Sequence, residues 1–169
     1  VVQASRGARS CLAPRLALGQ SRYLLVETPP WLAGGLSTLE VLLYEIQLAG
    51  FLPILAHPER LMQDHSVGPT LQKWIGRDRL RLQVNASALS PLSLYPKERR
   101  GRYETRQGHA AWLMRRELVH IVASDAHDPV TRPIHLEASH AFISGRYGPE
   151  SADRLLKRNP AQVLSDGPL

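Results

Sequence analysis

The sequence predicts an α/β fold in which short parallel strands alternate with helices. Four short apolar segments, at residues 23–26, 51–56, 80–84 and 118–123, have the length of buried strands. Segments with helical spacing of apolar residues lie between and after them, which implies parallel strands joined by right-handed crossovers. With 169 residues, of which 43% are hydrophobic, the chain is long enough to bury the core of one ordinary domain.

The helices are predicted from apolar stripes and end signals. Ser37, followed three residues later by Glu40, is a capping box and predicts the start of the first helix, and Gly50 predicts its end. The apolar stripe of this helix is interpreted as core packing and nothing more. Further helices are predicted at residues 68–78, 101–117, 134–143 and 149–156, with a last short turn at residues 159–160.

The basic character of the chain does not by itself indicate a nucleic-acid-binding protein. The formal net charge is +6, and 18 of the 21 basic residues are arginines spread over ordinary helix and loop positions. No zinc-finger, helix-turn-helix or aromatic-plus-basic RNA-binding motif accompanies them. An anionic substrate is the better prediction.

Composition also excludes several other classes. No apolar segment approaches the 18 or so residues of a membrane span, so a soluble, cytoplasmic protein is predicted. The single cysteine, Cys11, rules out a disulfide framework and a cysteine-rich zinc site. It also lacks the arginine six residues later that a cysteine phosphatase would use, because position 17 is Ala, and no serine-hydrolase G-x-S-x-G motif occurs.

The first residues differ from the rest of the chain. Residues 1–22 contain four arginines and no acidic residue, and the chain has no initiating Met. A transit peptide has this composition, but the absent Met indicates a fragment or a processed product. We therefore interpret residues 1–15 as uninformative and residues 16–169 as part of a single domain.

Residues able to bind a metal ion follow the predicted strands. Glu27, His57 and Asp125 each stand at a strand's C-terminal end, and His127 lies two residues after Asp125. Because ligands of parallel α/β sheets bind at that end, the four side chains are predicted to share one face and bind Mn, Fe or Zn. Taken singly, each has a blander interpretation as a loop carboxylate or a structural histidine.

Two further kinds of residue are predicted near this site. Arg60 and Arg132 are placed to flank it as anion-binding residues, because an arginine fork suits phosphate. Asn85 ends the third strand and is expected to orient either a ligand or, more readily, the neighbouring loop. A helix-surface position is the alternative interpretation of Arg60.

Several motifs together resemble the PHP (polymerase and histidinol phosphatase) superfamily. They are AHPER at residues 56–60, VNASAL at 84–89, ASDAH at 123–127 with Arg132 five residues after the histidine, and a strand ending in Glu27. They are most similar to its bacterial manganese-dependent tyrosine-protein phosphatases of capsular and exopolysaccharide synthesis. The resemblance implies a distorted (β/α) barrel with two or three Mn²⁺ ions, or Fe or Zn, at its C-terminal face. By that resemblance Glu27 is a bridging carboxylate, His57, Asp125 and His127 are metal ligands, and Arg60 and Arg132 bind phosphate.

The resemblance also implies substrates and partners. The reaction would be hydrolysis of phosphotyrosine in proteins, with a bacterial tyrosine kinase of polysaccharide synthesis as one partner. Two alternatives are a PHP phosphoesterase acting on a small molecule such as histidinol phosphate, and a non-catalytic remnant of the barrel.

One part of the family pattern is missing. Family members begin with a strand ending in an H-x-H pair, whereas the histidines here, at positions 57, 65, 109, 120, 127, 135 and 140, include no two that are two apart. The chain is therefore predicted to hold about the C-terminal half to two-thirds of the barrel, with an open sheet edge. Weak metal affinity and little or no turnover are expected for this chain alone.

Overall fold

Five parallel strands form the central sheet of the computed structural model, which describes residues 2–3, 16–28, 35–128 and 134–169. Their order in the sheet is the order in the chain. Neighbouring strands pair in parallel throughout, for example Leu25 with Ile54 and Val84 with Val122. The strands are β1 (Val2–Gln3), β2 (Tyr23–Glu27), β3 (Leu52–Ala56), β4 (Arg81–Asn85) and β5 (Ile121–Ala123).

Helices connect the strands and complete the predicted α/β arrangement, which is confirmed. They are α1 (Gly35–Leu48), α2 (Val67–Ile75), α3 (Arg100–Arg115), α4 (Leu136–Tyr147), α5 (Pro149–Asp153) and α6 (Asn159–Leu164), with a π-helical segment, Arg154–Arg158, between the last two. Short 3₁₀ helices follow β3 and β4, at Pro58–Arg60 and Ala86–Leu89. Across the described ranges, no helix has both the length and the apolar character needed to cross a bilayer.

The central strands are buried on both faces, which explains why they read as nearly continuous apolar segments. Every residue of β3 and of β4 is buried. One face packs against helices α1 to α4 through a large cluster that includes Leu55 and Leu82. The other face packs through a smaller cluster that includes Ile54.

Two element boundaries differ from the sequence-based expectation. Helix α1 begins at Gly35, so Ser37 lies inside it and the capping-box prediction is wrong. Gly35 has φ +56°, a conformation open to glycine, and the chain enters the helix there. Strand β5 begins only at Ile121. The Leu118 amide donates to Leu113 O and so satisfies a carbonyl in the last turn of α3.

Strand β1 lies in the segment that the sequence analysis interpreted as uninformative, and it pairs with β2. Val2 pairs with Val26 and Gln3 with Glu27. Two residues are too few to show an alternating pattern, so sequence periodicity could not identify this edge strand. The division of the chain at residue 15 stays a prediction.

Replacing Ile54 with Val is expected to lower the free energy of unfolding by about 1 kcal/mol, because it removes one methylene from a fully buried position. Ile134→Val is the matched control, because 69% of Ile134 is exposed. Denaturant unfolding of both variants measures the difference. Equal effects at the two positions would show that Ile54 is not packed in the core.

Candidate active site

Polar residues lie at the C-terminal ends of four neighbouring strands. Glu27 is the last residue of β2, and Asn85 is the last residue of β4. His57 follows β3 directly, and Asp125 lies two residues after β5. Because these strands are parallel, the four residues meet at one edge of the sheet.

His57 is held in an unusual backbone conformation. Its φ of 37° and ψ of 52° are left-handed, a region that residues other than glycine rarely occupy and that is often found at functional sites. Its backbone amide donates to Gln83 O at 2.7 Å and extends the pairing of β3 with β4. The imidazole is buried, and its Nε2 lies 2.9 Å from Oε1 of Glu27. The strand end therefore aims this side chain at Glu27.

The surroundings of His57 favour its neutral form. Burial lowers the pKa of the imidazole, and the charge of Arg60 lowers it further. The carboxylates of Glu27 and Asp125 act in the opposite direction without reversing the shift. A neutral imidazole is the form that binds a metal ion.

Asp125 is the second anchored residue. It also has a left-handed φ, of 50°. Its Oδ2 accepts hydrogen bonds from Arg60 Nη2 at 2.5 Å and from Asn85 Nδ2 at 2.7 Å. The amide of Asn85 is oriented in turn by Gln83, whose Nε2 donates to Asn85 Oδ1 at 3.0 Å. Asn85 therefore orients the loop that carries Asp125, the role that the sequence favoured for it.

His127 lies beside Asp125 and is the most exposed of the predicted ligands. Its side chain is 56% exposed. Its Nδ1 is 3.0 Å from the backbone oxygen of Asp125 and 3.9 Å from the Oδ1 of the same residue. The structure thus places His127 and Asp125 as a pair at the rim of the site.

The predicted ligands form two pairs, Glu27 with His57 and Asp125 with His127. Over residues 16–28, 35–128 and 134–169, no three histidine, cysteine, aspartate or glutamate side chains are arranged as a group that could hold one metal ion. Arg132, predicted as a phosphate-binding residue, lies outside the described residues.

The geometry of the first pair is compatible with a shared metal ion. Two ligands about 2.1 Å from one octahedral ion, at a right angle to each other, lie about 3 Å apart. The 2.9 Å between His57 Nε2 and Glu27 Oε1 matches that separation. An imidazole nitrogen and a carboxylate oxygen are also the donor types that Mn, Fe and Zn accept. The residues present therefore fit one part of a metal coordination shell.

Glu59 is a buried carboxylic acid that the sequence analysis did not single out. Only 1% of the residue is exposed, and burial raises the pKa of its carboxyl group to about 7. Neither carboxylate oxygen has a hydrogen-bond partner in the described part of the chain. Its backbone oxygen accepts a hydrogen bond from His109 Nδ1 of α3 at 2.8 Å. The only sequence signal was its position between His57 and Arg60.

Comparison with protein families gives a match over nearly the whole chain. The model of the family "Capsular polysaccharide synthesis, CpsB/CapC" matches residues 11–165. The matched region contains every residue of the site described above.

The chain is also similar to curated proteins named as tyrosine-protein phosphatases. The chain is 27% identical over 153 residues to tyrosine-protein phosphatase CpsB of Streptococcus pneumoniae, covering 88% of this chain and 58% of the relative. It is 29% identical over 139 residues to tyrosine-protein phosphatase YwqE of Bacillus subtilis, covering 80% of this chain and 48% of the relative. The chain spans about half the length of the curated relatives it matches.

A solved structure has the same fold. It comes from crystal structures of YwqE from Bacillus subtilis and CpsB from Streptococcus pneumoniae, described as unique metal-dependent tyrosine phosphatases. The TM-score is 0.70 at 25% sequence identity, over 91% of this chain and 57% of the solved chain. This match confirms the predicted relationship of the fold to these phosphatases. In the described part of this chain the strands form an open sheet.

Proposed function

Because the chain belongs to the CpsB/CapC family of capsular polysaccharide synthesis, we propose that it carries part of a metal-dependent phosphatase site that hydrolyses phosphotyrosine in proteins. Its named relatives are tyrosine phosphatases, and the solved structure that it resembles is of metal-dependent ones. The observation that carries the proposal is the meeting of the Glu27–His57 pair and the Asp125–Arg60 pair at one sheet edge.

We propose Mn²⁺ as the metal, with Glu27, His57, Asp125 and His127 as its ligands and two or three ions in the complete site. A bound divalent ion supplies Lewis acidity for attack on phosphorus. Glu27 and Asp125 contribute the hard carboxylate oxygens, and the two histidines contribute nitrogens. The low pKa of His57 keeps its nitrogen available at neutral pH.

The arginines act on the substrate. Arg60 is oriented by its hydrogen bond to Asp125, and its charge lies close enough to His57 to lower the pKa of that imidazole. From this position its guanidinium can stabilise the negative charge on phosphoryl oxygens. Arg132 is proposed to do the same. A phenolate leaving group, with a reference pKa of about 10, needs less acid assistance than an alkyl alkoxide.

The substrate is proposed to be a phosphotyrosine protein, with a bacterial tyrosine kinase of polysaccharide synthesis as a partner. Phosphate release from a phosphotyrosine peptide, in Mn²⁺ and in EDTA, tests this. Release that needs Mn²⁺ and exceeds release from phosphoserine and histidinol phosphate supports it. Faster release from histidinol phosphate would favour the small-molecule phosphoesterase, and no release from any substrate would leave a non-catalytic domain. The predicted cytoplasmic location stays a prediction.

Replacing His57 with Gln is expected to weaken Mn²⁺ binding about 10-fold, because the imidazole nitrogen paired with Glu27 is lost. His65→Gln is the matched control, since His65 is an exposed histidine outside the proposed ligand set. Electron paramagnetic resonance of free Mn²⁺ measures both affinities. If the two variants bind Mn²⁺ equally well, His57 is not a ligand.

A further inference from the structure

Arg106 is a half-buried residue of helix α3. The helix is tied to the segment after β3 by the hydrogen bond from His109 Nδ1 to the backbone oxygen of Glu59. Arg106 precedes His109 by three residues and therefore lies on the same helix face, one turn earlier. Because α3 follows β4 and leads into β5, that earlier turn is nearer the C-terminal edge of the sheet. Arg106 and Arg60 are thus brought to the same side of the site.

Helix α3 packs against the 3₁₀ helix Pro58–Arg60, so Arg106 and Arg60 lie on two elements in contact. Burial lowers the pKa of Arg106, and the charge of Arg60 lowers it further. The Arg106 guanidinium carbon lies 5.9 Å from the ring centroid of Tyr103, on the same helix. Holding two arginines together in a half-buried place costs free energy unless an anion lies between them.

The protein itself does not supply a close counter-ion for Arg106 in its described part. None of the ion pairs within 4.0 Å found there includes Arg106. Glu59 lies near both arginines, but neither of its carboxylate oxygens accepts a hydrogen bond from them. Arg60 gives one terminal nitrogen to Asp125, whereas its buried Nε has no partner among the described residues. Hydrogen-bond donors on both arginines therefore remain for a ligand.

We propose that Arg106 and Arg60 together form a two-arginine site for an oxyanion of the substrate. This inference rests on the proposed function for the identity of the ligand, a phosphorylated peptide. The oxyanion is either the phosphoryl group itself or the carboxylate of an acidic residue beside the phosphotyrosine. Arg106 is then a binding residue in addition to Arg60 and Arg132, the two phosphate-binding arginines that the sequence predicted.

Binding of three probes to the metal-free chain, measured by isothermal titration calorimetry, tests the proposal. The probes are inorganic phosphate, a phosphotyrosine peptide with neutral flanking residues, and the same peptide with flanking aspartates. Arg106→Gln is expected to weaken binding about 10-fold, and Arg115→Gln, an exposed arginine on the same helix, is the matched control. Arg106→Lys keeps the charge without the planar fork and is expected to bind with intermediate affinity.

The pattern of losses identifies the source of the oxyanion. Weaker binding of all three probes by Arg106→Gln assigns the phosphoryl group, and weaker binding of the aspartate peptide alone assigns the flanking carboxylate. Equal binding by Arg106→Gln and Arg115→Gln overturns the proposal, as does a wild-type chain that binds none of the probes. If Arg106→Gln melts at a lower temperature than wild type, the binding of Arg106→Lys is used instead. Affinity below wild type then supports the proposal, and affinity equal to wild type overturns it.

Hydrolysis is measured separately, so that the two proposals can fail independently. Arginine-dependent binding without any Mn²⁺-dependent hydrolysis would overturn the proposed function and leave the two-arginine site standing. Mn²⁺-dependent hydrolysis, together with unweakened binding of the probes by Arg106→Gln, would overturn the two-arginine site and leave the proposed function standing.

Discussion

Replacing Asp125 with alanine is expected to lower metal-dependent phosphotyrosine hydrolysis at least 100-fold. The change removes a proposed metal ligand and also the acceptor that holds Arg60 and Asn85, at 2.5 and 2.7 Å. Arg60, the proposed phosphate-binding residue, would lose its orientation together with the proposed metal site, so two contributions to the transition state would be lost at once. A fluorogenic aryl phosphate assay in Mn²⁺ measures the change.

Asp166→Ala is the matched control for this experiment. Asp166 accepts a hydrogen bond from the Arg22 amide, which precedes β2 and lies at the opposite edge of the sheet. Its loss is expected to leave hydrolysis within twofold of wild type. Thermal melting of both variants separates a loss of chemistry from a loss of fold. An Asp125→Ala protein that keeps more than a third of the wild-type rate would rule out Asp125 as a ligand.

Acidification is expected to destabilise the protein through His120. This histidine lies just before β5 and accepts a hydrogen bond from the Leu82 amide on its Nδ1, at 3.2 Å. Burial, and next the charge of Arg81, lower its pKa to about 4, against a usual value of 6.5. Protonation would require the buried ring to carry a charge and to give up its acceptor role.

The direction of the effect follows from proton binding. Between pH 6.5 and about 4 the unfolded chain protonates this histidine and the folded chain does not. The free energy of unfolding therefore falls as the pH drops through that window, and no penalty remains above it. The loss is at most about 3 kcal/mol, because each pKa unit corresponds to roughly 1.4 kcal/mol.

Urea unfolding at pH 7.5, 5.5 and 4.5 measures this contribution in wild type and in His120→Gln. Carboxylates also titrate at the lower pH, so the informative quantity is the difference in slope between the two proteins. His120→Gln is expected to show the shallower pH dependence, whereas the exposed control His65→Gln should follow wild type. Identical pH dependence in wild type and His120→Gln would contradict the prediction.

The residues that end strands were predictable from the sequence. Glu27, His57 and Asp125 follow short apolar segments, and parallel strands bring such residues to one edge whatever the details of packing. The structure places all three there. The roles of these three residues and of His127 as metal ligands stay predictions, and so does the role of Arg132 in binding phosphate.

Short-range signals were less reliable where tertiary geometry competes with them. The capping box at Ser37 is a sound local pattern, yet Gly35 lets the helix begin two residues earlier. The apolar segment at residues 118–123 reads as one strand, but its first residue completes the end of α3. In both cases a backbone hydrogen bond or a permissive φ, neither visible in composition, decides the boundary.

The sequence alone determined the α/β class, the parallel order of the strands and the edge at which polar residues gather, because these follow from periodicity and connectivity. Only the tertiary structure decided which side chains meet across that edge. The pairing of His57 with Glu27 and the hydrogen bonds of Arg60 and Asn85 to Asp125 join residues 30 to 65 positions apart. Such contacts depend on strand register, left-handed turns and helix packing, which no local pattern encodes.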